Sequence, residues 1–398
     1  MTDYKTIDDF NPSGRRVLLR IDLNVPMKDG QVTDATRIER VAPTIEELAV
    51  KGAKVVLLSH FGRPGGRRDT TMSLAPLARP LSEVLGGRPV NFAKDCVGPT
   101  ADHVISRLDD GGVALLENVR FHAGEETNDP AFARALAGLV DVYVDDAFAA
   151  SHRPHASIEA VARLLPAYAG RLMQAELEAL TRALDAPKRP VVAIVGGAKV
   201  STKIELLGNL VSKVDRLIIG GGMANTFLFS RGLDVGASLA ERDLADTANS
   251  IERRAIETGC KILIQDDAVV APALAPSVET RVVTADSVPG DQMILDAGPR
   301  SIDRFRATLS DCRTVVWNGP LGAFETPPFD AATVAVATYV AELTRTGHVL
   351  SVAGGGDTVA ALVQAGVIDT FSYVSTAGGA FLEWLEGKTL PGVAVLQR

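Results

Sequence analysis

At 398 residues the chain is long enough for two or three domains of roughly 150 residues each. Hydrophobic residues are 46% and charged residues 23%, which supplies a core and excludes wholesale disorder. The 41 basic residues are outnumbered by 49 acidic ones, so a formal net charge of −8 excludes a general attraction to nucleic acid or to an anionic membrane. Cys96, Cys260 and Cys312 are far apart and too few for a disulfide framework or a thiolate metal site, which fits a reducing cytoplasm. The polar start MTDYKTIDDF lacks the pattern of a signal peptide, and no apolar run of about 18 residues occurs.

In chain order, the first half carries strand-like runs RVLLRI, KVVLLS, VALLE and DVYVD. The second half carries PVVAIV, DRLIIG, KILI, RTVVW, HVLSV and FSYVS. Helical patterns lie between them, residues 44–51 for example, with Pro or Gly at the joints. The alternation predicts an α/β protein with parallel sheets. Residues 172–184, LMQAELEALTRAL, contain neither Pro nor Gly and precede a new series of strands, so they read as a long helix joining two domains.

The chemistry-bearing residues follow the strands, where open α/β sheets bind ligands. The first half supplies bases and polar groups: Asp22 and Asn24 after RVLLRI, Arg37 further on, His60 and Arg63 after KVVLLS, Arg120 after VALLE, and His152 and Arg153 after DVYVD. Several guanidiniums on one rim repel each other unless an anion is bound, and the planar arginine head suits phosphate or carboxylate. A small phosphorylated acid is the expected guest. The second half supplies glycines instead, in GGAKVSTK, GGGMAN, NGPLGAFE, GGGDT and TAGGA. Glycine at a strand-to-helix junction admits a phosphate to the backbone and to a helix N-terminus, so a nucleotide is expected there. Lys199 and Lys203 are placed to face its polyphosphate where a helix starts, Asp357 to hold Mg²⁺, and Glu325 to take ribose hydroxyls. Neither the P-loop pattern G-x-x-x-x-G-K-S/T nor G-x-G-x-x-G is present, which disfavours an NAD-dependent dehydrogenase. An inactive scaffold is disfavoured by the full set of basic and acidic side chains.

Taken together, RIDLNVP, SHFGRP, LLENVRFHAGEE, DDAFAASHRPHAS, GGAKVSTKI, IGGGMANTFL, WNGPLGAFE, GGGDT and STAGGAFLEWLEGKTLPGV resemble the phosphoglycerate kinase family over essentially the whole length. The resemblance implies two similar-sized doubly wound, Rossmann-like domains around a cleft. These are residues 1–171 for 3-phosphoglycerate, an interdomain helix at 172–184, and residues 185–379 for the nucleotide, with a tail from about 380 to 398 packing back on the first domain. It implies reversible phosphoryl transfer between 1,3-bisphosphoglycerate and Mg·ADP, giving 3-phosphoglycerate and Mg·ATP in glycolysis. A cytoplasmic monomer is expected, and because the glycerate residues all precede 160 and the nucleotide residues all follow 195, hinge closure is expected, with the 172–184 helix and the segment near 376–379 as pivots. No nucleic-acid or membrane partner is expected.

By position, Asp22, Asn24 and Arg37 match the family's contacts to the glycerate carboxyl and hydroxyl. His60, Arg63, Arg120 and Arg153 match its patch for the non-transferred phosphate. Gly197, Lys199, Lys203, Asn318, Glu325, Gly355, Gly356, Asp357 and Thr358 match its nucleotide contacts, Asp357 also being the metal contact. Arg37, Lys199 and the amides near Gly355 and Gly378 are expected to stabilise the transferring group. Three stretches depart from the family pattern: Ala377 replaces the usual first of three glycines, Ala149-Ala150-Ser151 replaces Gly-Thr-Ala, and Gln265-Asp266 replaces a Leu/Pro-containing stretch.

Overall fold

The structure, a computed structural model, describes residues 4–28 and 30–397. The first four apolar runs form the strands Arg16–Arg20, Lys54–Leu58, Val113–Leu116 and Val142–Asp145, buried almost throughout as parallel strands covered on both faces are. Two strands without such a run, Val90–Ala93 and Ala167–Ala169, occupy the edges. An edge position needs less apolar sequence, which is why the sequence pattern does not show them. The resulting sheet is wholly parallel, in the order Val90–Ala93, Val113–Leu116, Lys54–Leu58, Arg16–Arg20, Val142–Asp145, Ala167–Ala169. Alternate residues feed two layers: Val17, Leu19 and Leu57 pack with Ile38, Val41, Ile45 and Leu48, whereas Leu18, Val56 and Tyr143 pack with Ala101, Ile105 and Leu136.

The helix expected from Thr44 begins a turn and more earlier, as Thr36–Val50. Pro43 lies inside it, where it removes one main-chain hydrogen bond, and the buried stripe Ile38, Val41, Ile45, Leu48 carries the helix through. Arg37 consequently stands in the first turn.

The second parallel sheet runs Lys261–Leu263, Arg216–Ile219, Val191–Val195, Thr314–Asn318, Leu350–Gly354, Tyr373–Ser375. A small antiparallel sheet of Asp267–Ala271 between Arg281–Thr284 and Met293–Ala297 is added to it in sequence. In each parallel sheet the chain starts in the middle, builds to one side, then returns to the other. The switch points lie between Arg16–Arg20 and Val142–Asp145, and between Val191–Val195 and Thr314–Asn318. Ligands of open α/β sheets bind beyond the carboxyl ends of strands at such points.

The chain divides into two compact units, one holding residues up to Glu178 and from Thr389 onward, the other Ala179–Lys388. The division falls within the expected connecting segment, which is an α-helix over Arg171–Leu180 and a π-helical turn over Thr181–Asp185. The tail differs from the expectation of a start near 380. Helix Gly378–Leu385 stays with the second unit, where Asn209 Nδ2 donates to Leu385 O at 2.6 Å and Lys388 pairs with Glu205 at 2.6 Å. Only the residues from Thr389 belong to the first unit, where Gly392 N donates to Ser151 O and Lys5 N to Leu396 O. No helix among the described residues is long and apolar enough to cross a membrane.

Candidate active site

At the carboxyl end of strand Arg16–Arg20 the chain turns through Asp22 and Asn24. Asp22 accepts from Asn24 N at 3.0 Å and pairs with Arg37 Nη1 at 2.6 Å, which orients the guanidinium. Asn24 Oδ1 accepts from Gly62 N at 3.0 Å, so its Nδ2 is the end left to donate to a ligand.

Beside them is a cluster of cations. Arg20, 1% exposed, is the residue that sequence reading passed over; its signal was an arginine at the carboxyl end of an apolar strand. Arg20 Nε donates to Ser157 Oγ at 3.0 Å, and its Nη2 reaches His60 Nδ1 at 3.1 Å. Since a guanidinium only donates, Nδ1 accepts and the proton of His60 sits on Nε2. Burial pushes the imidazole well below its ordinary range, and Arg20, Arg120, Arg153 and His155 push it further, so His60 is a neutral donor among cations. Arg120, 4% exposed, is held by Gly62 O at 2.7 Å and lies 3.5 Å from Glu126; burial and then Arg20 lower its pKa. Arg153 Nε bonds His152 Nε2 at 3.1 Å, and Arg63 is exposed on the loop after Lys54–Leu58. Buried Glu125 offsets part of the charge by accepting from Ser157 N and Oγ and pairing with His155 at 3.6 Å.

In the second unit the segments after Val191–Val195 and Thr314–Asn318 come into backbone contact, Gly196 N donating to Asn318 O at 3.0 Å. Lys203 clasps both, its Nζ donating to Gly196 O at 2.6 Å, Asn318 Oδ1 at 2.7 Å and Asn318 O at 3.1 Å. Burial pushes the ammonium down to about 8, with Asp357 pulling the other way. Asn318 Nδ2 in turn donates to Gly354 O, and Thr358 Oγ1 accepts from Gly319 N at 2.7 Å, which ties in the start of helix Gly356–Gln364. Gly355 has φ +98° and a Cβ there would stand 2.7 Å from Asn318 Nδ2, so only glycine serves.

Lys199 is placed differently from the expectation. The helix begins at Ile204, Lys203 caps it, and Lys199 sits exposed in the preceding turn. Helix Gly378–Leu385 starts directly after Ala377, with open space at Gly378.

Gly197, Glu325 and Asp357 line one cavity of about 510 Å³, whose walls also include Gly221, Gly222, Leu239, Leu274, Met293, Leu321 and Phe324. Apolar side chains, glycine turns and Asp357 thus share one cavity, the mixed lining that small-molecule sites use. Leu239, Leu274 and Met293 were missed in the sequence because scattered apolar residues carry no pattern.

A rim of cations on one parallel-sheet unit, and glycine turns with a clasped lysine on another, are what a phosphotransferase of the two-domain α/β class needs. The chain belongs to the phosphoglycerate kinase family, whose family model matches residues 7–388. The phosphoglycerate kinase of Methylorubrum extorquens (strain PA1) is 63% identical over 398 residues, 100% of this chain and 99% of its own. That of Agrobacterium fabrum (strain C58 / ATCC 33970) is 60% identical over 397 residues, again 100% and 99%. The solved structure of phosphoglycerate kinase from Coxiella burnetii has a TM-score of 0.92 at 42% identity, covering 99% of this chain and 98% of that one. The chain is thus a phosphotransferase with a carboxyl-group acceptor, and its reaction is the reversible transfer between 1,3-bisphosphoglycerate and ADP that yields 3-phosphoglycerate and ATP in glycolysis.

Proposed function

We propose that the first unit binds the glycerate substrate and the second the Mg-nucleotide, each through the residues named above. The observation that carries this reading is the placement of both groups of side chains at the switch points of separate sheets. Arg63, Arg120, Arg153 and the His60 Nε2–H hold the phosphate that is not transferred; Asn24 and Arg37 hold the carboxyl end. Lys203, the Gly355–Gly356 turn and Thr358 hold the nucleotide phosphates, and Glu325 the ribose. Asp357, exposed on the cavity wall, offers the hard carboxylate oxygen that Mg²⁺ takes alongside phosphate oxygens and water. When bound, the ion would neutralise charge on the nucleotide phosphates.

Transfer to ADP needs no general base, because the attacking phosphate oxygen is already anionic. The protein's task is to align the oxygens and stabilise the moving charge. Arg37, oriented by Asp22, and Lys199, exposed on its loop, do this together with the amides at Gly355 and Gly378. Because the two ligand sets belong to different units, and reacting atoms must approach to roughly 3–3.5 Å, the enzyme brings its units together when both substrates are bound. A cytoplasmic monomer agrees with three buried free cysteines and a site completed within one chain.

Lys199→Ala tests the catalytic part. Acting on the transferring group, it lowers kcat and kcat/KM together by about 100-fold or more, with little change in Mg·ADP affinity. A raised KM at unchanged kcat would make Lys199 an ordinary binding residue.

A further inference from the structure

Gln265 follows strand Lys261–Leu263 and lines the same cavity as Gly197, Glu325 and Asp357. It is 5% exposed, and a polar side chain so deeply buried calls for an account of both ends of its amide. Asn225, 1% exposed and also on the cavity wall, supplies half of it. Asn225 Nδ2 donates to Leu239 O at 3.2 Å. A carbonyl only accepts, which fixes the Asn225 amide with Oδ1 as its remaining acceptor. Gln265 Nε2 donates to that Oδ1 at 3.2 Å. The donor end of Gln265 is therefore committed. Its Oε1 accepts no hydrogen bond among the described residues, yet it is not one of the side-chain atoms sealed from solvent without a partner. Of the two ends of the Gln265 amide, Oε1 is the one left to meet a ligand in the cavity that the residue lines.

The lining also carries Asp296, Glu325, Thr326 and Asp357, and both oxygens of Asp296 are already engaged, by Ala297 N at 2.9 Å and Ala332 N at 2.8 Å. An acceptor set among apolar side chains such as Leu239, Leu274, Met293 and Leu321 recognises an N–H donor and disfavours another acceptor. Resting on the reading of this cavity as the nucleotide's place, we infer that Gln265 is a specificity-determining residue: its Oε1 accepts a hydrogen bond from the exocyclic 6-amino group of the base, and Asn225 holds the amide in that orientation. The enzyme then prefers a 6-aminopurine over a purine with hydrogen at that position. It discriminates most against a 6-oxo purine, whose oxygen meets Oε1 lone pair to lone pair.

The test compares ADP, purine riboside 5′-diphosphate and IDP as phosphoryl acceptors in the wild type and in Gln265→Leu. The wild type uses ADP about ten-fold better in kcat/KM than the purine riboside compound, and IDP worse still. In Gln265→Leu the three converge, chiefly through a higher KM for ADP. Gln265→Met, unbranched like glutamine, gives the same convergence if the leucine variant folds poorly, and an unchanged KM for 3-phosphoglycerate certifies the fold of either. Retention of the ADP preference in a folded variant, or a wild type that uses IDP as well as ADP, overturns the inference. Calorimetry keeps the two readings apart: if none of the diphosphates binds to the wild type, it is the nucleotide assignment that fails, and this inference falls with it.

Discussion

Lys203 is the side chain whose chemistry the structure specifies most tightly. Three oxygens hold its ammonium at the junction of two strand ends, and burial lowers its pKa to about 8. The polyphosphate needs the charged form. Below pH 8 the free enzyme is protonated there and Mg·ADP affinity is flat; above pH 8 binding must also draw a proton, and the association constant falls by up to about ten-fold per pH unit. Calorimetric titrations between pH 7.5 and 9.5 check this. Lys203→Met binds weakly with no break near 8, and a wild type without a break would show that Lys203 does not carry the charge. Such residues were legible in the sequence because bases and glycines stood at successive strand ends. The partnerships were not: nothing in the order of residues says that burial keeps His60 neutral while Arg20 leaves its proton on Nε2, since Arg20, His60 and Ser157 meet only through folding.

Among the elements, the two turns after Val191–Val195 and Thr314–Asn318 set the geometry of the proposed nucleotide cradle. They approach so closely that a Cβ on Gly196 would stand 1.7 Å from Pro320 O, a backbone atom that cannot move aside alone. Gly196→Ala is accordingly expected to cost about 3 kcal/mol or more of stability and to weaken nucleotide binding. Urea unfolding of the two proteins side by side measures the loss, and a variant as stable as the wild type would mean the turns can separate. The central strands were readable because burial on both faces demands uninterrupted apolar runs. The edge strands Val90–Ala93 and Ala167–Ala169, only partly buried, lack that demand. Pro43, read as a joint, is carried inside Thr36–Val50 by the packing of its neighbours.

For the whole molecule the central claim is the proposed division of labour. The side chains proposed to hold the glycerate, from Asp22 to Arg153, belong to the first unit and those proposed to hold the nucleotide, from Gly197 to Thr358, to the second. Small-angle scattering should give a smaller radius of gyration with 3-phosphoglycerate and nucleotide together than with either alone, because only the pair joins the two sets of cations. An unchanged radius in the active ternary mixture would exclude closure. The two-unit division was half legible: the change from bases to glycines along the chain suggested two halves of different chemistry, whereas the return of the last residues to the first unit only from Thr389 depends on packing. The division of labour is tested most directly by calorimetry of both ligands on two variants. Arg63→Ala should weaken 3-phosphoglycerate binding by about 1.5–3 kcal/mol and leave Mg·ADP affinity unchanged, while Lys203→Met does the reverse. Equal losses of both ligands in either variant would contradict the assignment of one substrate to each unit.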